Sequence, residues 1–74
     1  MQYTVLIHQA EEGGYWVEVP AISGCLSQGE TIEEALTNVK EAIALHLEVL
    51  KEEGKEIPIE EGIVGTVKVV IPAA

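Results

Sequence analysis

Residues 20–36 read PAISGCLSQGETIEEAL, and this stretch decides the fold because it stops one kind of structure and starts another. Pro20 has no backbone N–H to give to a sheet, so it closes a strand arriving from Tyr15. Gly24 and Gly29 supply turn conformations that a side chain would resist. Between them residues 25–28 have the length and composition of a short strand. Thr31 followed three residues later by Glu34 is a capping box, the start signal of a helix.

Downstream of the cap, Ile32, Leu36, Val39, Ile43, Leu47 and Leu50 recur at threes and fours, with Ala35 and Ala42 beside them. That spacing is one continuous apolar stripe on a long amphipathic helix. Glu33, Glu34 and Glu41 lie off the stripe, and Gly54 is the expected C-terminal stop. Beyond a polar loop with Pro58 and Gly62, residues 65–71 read as a last strand. In it Val67, Val69 and Ile71 alternate with Thr66, Lys68 and Val70.

Upstream, residues 2–9 are rich in β-branched and aromatic side chains and predict a first strand. Tyr3, Val5 and Ile7 share one of its faces; Thr4, Leu6 and His8 share the other. Glu11-Glu12-Gly13-Gly14 is a turn, and residues 15–19 are the second strand.

The sequence therefore predicts a single α+β domain over residues 1–74, ordered β-β-β-α-β. Three antiparallel strands, a crossover helix and a last strand parallel to the first give sheet order 3-2-1-4, with the helix on one face. One helix covers only one face, yet Leu6, Trp16 and Val70 are expected on the other. A surface of that kind favours a second copy of the chain, so a homo-oligomer, a dimer or higher, is expected with these three residues at its interface.

Composition narrows the function. The hydrophobic fraction of 47% is ample for folding. No apolar run approaches the roughly 20 residues a membrane helix needs, and a lone cysteine gives no disulfide framework, so a cytoplasmic protein is expected. All 13 acidic residues are Glu, against 4 Lys and no Arg, for a net charge of −9. Phosphate binding runs on Lys and Arg displacing counterions, so direct binding of nucleic acid by this chain is not expected. A basic protein surface is the natural partner of such charge.

Catalytic constellations are lacking. A two-metal nuclease needs several converging carboxylates, but the chain has no Asp and offers Glu18 alone on a strand. Cys25, His8 and His46 lack ligand spacing, so no metal is assigned. Cys25 reads as a small buried hydrophobe, His8 as a surface residue at a strand end, and His46 as a packed or partly exposed imidazole. The glycines match no phosphate-binding loop, and no cofactor is expected. Trp16 reads either as an interface anchor or as a side chain buried under the chain's own loop. The acidic turn adjoining aromatic strand residues points to partner binding by Glu11, Glu12, Tyr15, Trp16 and Glu18.

The ordered combination of a strand closing on Pro20, Ser23-Gly24-Cys25, Ser27-Gln28-Gly29-Glu30-Thr31 and Glu33-Glu34-Ala35-Leu36, leading through Val39-Lys40-Glu41-Ala42-Ile43, resembles the HicB-like antitoxin family from about residue 3 to residue 50. The resemblance implies a partial ribonuclease-H-like fold. It also implies a function: neutralising a small basic messenger-RNA-cleaving toxin of the HicA type by covering its active surface. Many members carry a C-terminal DNA-binding domain; the expectation here is a short stand-alone member without one. A non-catalytic self-assembling or small-ligand-binding domain of unrelated role is the alternative, since fold alone does not fix function.

Overall fold

The computed structural model describes residues 1–61 and 67–72. Within them the chain forms β1 (Leu6–Gln9), β2 (Tyr15–Glu18), β3 (Leu26–Gly29) and α1 (Ile32–Glu52), in that order. The strands make one antiparallel sheet ordered β1-β2-β3. The α+β class and the antiparallel order of the first three strands are as the sequence predicts.

The first hairpin closes through a three-residue loop. Ala10 N–H donates to Gly14 C=O at 3.1 Å, and Gly13 N–H donates to Ala10 C=O at 3.2 Å. Gly13 has φ +103°, a left-handed conformation that glycine adopts without steric cost. Register then follows, with Leu6 opposite Glu18, Ile7 opposite Val17, His8 opposite Trp16 and Gln9 opposite Tyr15.

β1 is shorter than the predicted residues 2–9. In this register Thr4 falls opposite Pro20, which has no N–H, and the Val19 N–H is already given to Cys25 C=O at 3.1 Å. Residues before Leu6 therefore have no ladder to join. Tyr3 and Val5 nevertheless pack against the core.

The connection from β2 to β3 does more than turn. Ile22 N–H bonds to Val19 C=O at 3.0 Å and Cys25 N–H to Ile22 C=O at 3.1 Å, so the chain makes two successive turns. These bring Val19, Ile22 and Cys25 together in the core with Val17, Ala35 and Val39. Ile22 is a core residue that strand and helix periodicity could not reveal, because it sits in a loop.

At the helix start Thr31 Oγ1 accepts from Glu34 N–H at 3.1 Å, and the Glu34 carboxylate reaches back to Glu30 N–H at 3.4 Å. At its end Gly54 (φ +71°) lets Gly54 N–H bond to Lys51 C=O at 3.1 Å and Lys55 N–H to Leu50 C=O at 2.9 Å. Two otherwise orphaned carbonyls are thereby satisfied, the Schellman arrangement. Ala35 and Val39 are the buried centre of the predicted stripe, with Leu36, Ala42, Ile43 and Leu47 packed around them. Ile32, at the first turn, is more exposed than the stripe implies.

α1 lies across β3 and β2. The close approach needs Gly29, where a Cβ would stand 2.5 Å from the Ala35 nitrogen. After the helix, the chain returns to the N-terminal end of the sheet. Tyr3 Oη donates to Pro58 C=O at 2.5 Å, and Thr4 gives both its N–H and its hydroxyl to the Glu60 carboxylate.

The predicted fourth strand, residues 65–71, begins at residues outside those described. Its remaining part, residues 67–71, pairs with no strand and is exposed. Among the described residues the order is β1-β2-β3, with no fourth strand. Alternation makes a segment competent for a sheet, but a ladder partner is what makes it a strand.

Candidate partner-binding surface

The sheet face away from α1 is assembled by register. Leu6, Glu18 and Leu26 form one row across the three strands, and His8, Trp16 and Gln28 the next. His8 lies flat on Trp16, with ring centroids 4.0 Å apart and planes at 16°. Its Nε2 stands 3.1 Å from Glu18 Oε1. The contact is a hydrogen bond for a neutral imidazole and an ion pair for a protonated one. His8 thus belongs to a triad with Trp16 and Glu18, so the lone strand carboxylate of the sequence reading has a cross-strand partner. Cross-strand pairing could have signalled this once the Glu11–Gly14 turn fixed the register.

Nothing in the described chain covers this face. Trp16 remains 37% exposed and Leu26 56% exposed, with Leu6 half-buried beside them. Trp16 is therefore not buried under a loop of the described residues. Glu11 and Glu12 project from the hairpin and share a shallow hollow with Gln9, Ala10 and Trp16.

The proposed partner residues consequently divide. Glu11, Glu12, Trp16 and Glu18 lie on or beside the open face, whereas Tyr15 falls on the helix side with Val17 and packs against the core. Leu6 and Trp16 share the open face. Val70 sits in the exposed segment after the helix and does not join them.

The other chemistry-bearing side chains are structural. Cys25 is buried, which pushes its thiol pKa up and keeps it protonated and unreactive. His46 Nδ1 donates to Ala42 C=O at 3.0 Å, a bond within the helix. The Glu60 carboxyl is held below its usual range, first by the Thr4 backbone N–H and then by the Thr4 hydroxyl. Among the described residues no group of three or more His, Cys, Asp or Glu is placed to hold a metal, and no helix is long and apolar enough to cross a membrane.

Two surface features lay outside the sequence reading. Leu45 and Val49 form an exposed apolar strip on α1 that lines a groove with Ile22 and Pro58. The two sheet edges also differ. Gln28 C=O, on the outer edge of β3, accepts the Asn38 side-chain amide at 2.8 Å, so the helix occupies that edge. The outer edge of β1 has no strand neighbour among the described residues.

The described residues thus form a small α+β domain, three antiparallel strands with one helix on one face and the other face exposed. The chain belongs to the HicB-like antitoxin family: the family model described as the HicB_like antitoxin of bacterial toxin-antitoxin systems matches residues 3–69. UPF0150 protein Ta0767 of Thermoplasma acidophilum is 52% identical over 58 residues, covering 78% of this chain and 84% of that one. Antitoxin HicB 1 of Photorhabdus laumondii is 41% identical over 59 residues, which span 80% of this chain but 38% of that longer protein. In structure, the chain is similar to the N-terminal domain of the Burkholderia pseudomallei antitoxin HicB, with a TM-score of 0.75 and 38% identity. That match covers 86% of this chain and 75% of the other. Family membership supports an antitoxin role and implies a toxin partner.

Proposed function

We propose that this protein is a non-catalytic, cytoplasmic antitoxin that neutralises a small basic messenger-RNA-cleaving toxin of the HicA type by covering its active surface. The observation that carries the reading is membership of the HicB-like family through the same small domain that the Burkholderia antitoxin uses as its N-terminal part. The open face supports it. Trp16, stacked on His8 and bordered by Glu18, Glu11 and Glu12, combines an aromatic anchor with carboxylates suited to Lys and Arg of a basic partner. Tyr15 contributes from beneath, by holding the β2 backbone against the core.

The chain's net charge of −9 opposes direct contact with nucleic acid, so inhibition runs through the toxin protein. The reading includes a homo-oligomer with Leu6, Trp16 and Val70 at or beside the contact between copies. It also includes the partial ribonuclease-H-like order 3-2-1-4, in which a strand lies beside β1.

Titration of the purified protein with its basic toxin tests the reading. Replacing Glu11, Glu12 and Glu18 together by Gln is expected to slow association at least about tenfold at low salt and to flatten its salt dependence. Unchanged affinity and salt dependence would remove these carboxylates from the interface.

A further inference from the structure

We propose that His8 makes the open face proton-sensitive. A proton on its ring closes Glu18 into an internal ion pair and withdraws that carboxylate from a basic partner, which is held near neutral pH and released on mild acidification. The inference rests on the basic-partner reading of this face proposed above, and adds its regulation.

The first ground is geometric. Register sets His8 directly opposite Trp16, with Glu18 two residues further along β2. The pleat returns every second side chain to one face, so all three stand on the side away from α1. One imidazole thus makes two contacts, a stack on Trp16 at 4.0 Å and 16° and a bond between Nε2 and Glu18 Oε1 at 3.1 Å. An ionised carboxylate can only accept, so Nε2 carries the hydrogen and a further proton enters at Nδ1.

The second is chemical. Histidine is the side chain whose charge ordinarily changes between about pH 5 and 8. Protonation strengthens both contacts of this ring, because the bond to Glu18 becomes charge-assisted and a cation then rests on the face of an indole. It also removes one negative charge from the face. A lysine or arginine reaching for Glu18 must then displace an imidazolium already seated there. Linkage makes the effect reciprocal, so a basic partner bound at Glu18 drives the proton off His8.

The third is access with few competing charges. The side chains of His8 and Glu18 are 38% and 35% exposed, open both to protons and to a partner's cation. β2, the strand paired with β1, presents Glu18, and β3 presents the neutral Gln28 in the same row as His8. Glu11 and Glu12 stand at the hairpin beside Trp16. α1 carries His46 and its own glutamates and lysines across the opposite face. Lys68 lies in the exposed segment after the helix, and among the described residues no lysine pairs with Glu18.

Hexalysine, a peptide whose side chains stay charged throughout the range, tests the inference on the full-length chain. Its affinity is read from the indole N–H resonance of Trp16, the chain's one tryptophan, at about pH 7.5 and about pH 5.5. Wild type is compared with His8→Phe, which keeps a stacked ring, and with His8→Gln, which keeps a donor for Glu18; neither variant takes up a proton. Wild-type affinity is expected to weaken at least about threefold more than either variant's on acidification. A wild-type change no larger than that of the variants, or no hexalysine response at Trp16, would overturn the inference. Titration with the toxin is a separate arm. No toxin binding at either pH, with the hexalysine result as expected, would remove the antitoxin reading and leave the proton sensitivity of the face standing.

Discussion

Val17 and Trp16 are consecutive in β2, yet Val17 is wholly buried while Trp16 is more than one-third exposed. The difference lies in what each face of the sheet meets. On the helix side, Val17, Val19, Ile22 and Cys25 close against Ala35 and Val39, and the contact is tight enough to require glycine at position 29. On the other side, Leu6, His8, Trp16, Glu18 and Leu26 meet nothing in the described chain, and their order comes from each other. One face stabilises the domain and the other is left exposed among the described residues. Substitutions on the two should therefore register in different measurements.

The largest expected effect is at Gly29→Val. Its Cβ would meet the Ala35 nitrogen at 2.5 Å and the Glu34 carbonyl carbon at 2.9 Å, both backbone atoms that cannot swing aside. Overpacking there should cost about 3 kcal/mol, read as a lowered urea midpoint, with Tm falling by roughly 15 °C. Stability unchanged in this variant would mean that α1 does not seat on β3 as described.

Val39→Ala should follow, at about 2 kcal/mol, for two methyl groups removed from a filled site together with the cavity they leave. Toxin affinity of the folded fraction should be unaltered. Trp16→Ala should reverse that pattern. Its urea midpoint should move by no more than about 0.5 kcal/mol, while toxin affinity drops about tenfold or more. If Trp16→Ala unfolded the protein, the open face would be part of the core and the contrast would fail.

The smallest effect concerns Glu60, which ties the returning chain to Thr4. Its carboxyl is held below the usual range in the folded protein. The contribution is therefore present above the ordinary glutamate range and is lost as pH falls through the lowered folded value. Glu60→Gln should remove that slight acid-side slope from the stability profile. A slope unchanged in the variant would place its origin elsewhere.

Legibility in the sequence followed the range of the interaction. The Thr31 cap, the Gly54 stop and the stripe from Leu36 to Leu47 are local signals and appear as read. Ile22 was not legible as core, because its burial comes from two turns that pair backbone groups rather than from any periodicity. His8 was read as an ordinary surface residue because a stack on Trp16 depends on register between two strands. Tyr15 was grouped with Trp16 by sequence proximity, although the pleat sends neighbouring side chains to opposite faces. Residues 67–71 show the same limit from the other side, since their alternation is unmistakable and their ladder is not within the described chain.

The sequence by itself determined the α+β class, the boundaries of the helix, a strongly acidic character, and a resemblance to the HicB-like family. All of these rest on near-neighbour patterns or on composition, which chain order preserves. The tertiary structure alone decided which of the candidate residues share a surface, which sheet edge the helix side chain Asn38 occupies, and that a histidine, a tryptophan and a glutamate form one cluster. Those outcomes depend on register and on where the helix comes to rest, and both are set by contacts between residues distant in the chain.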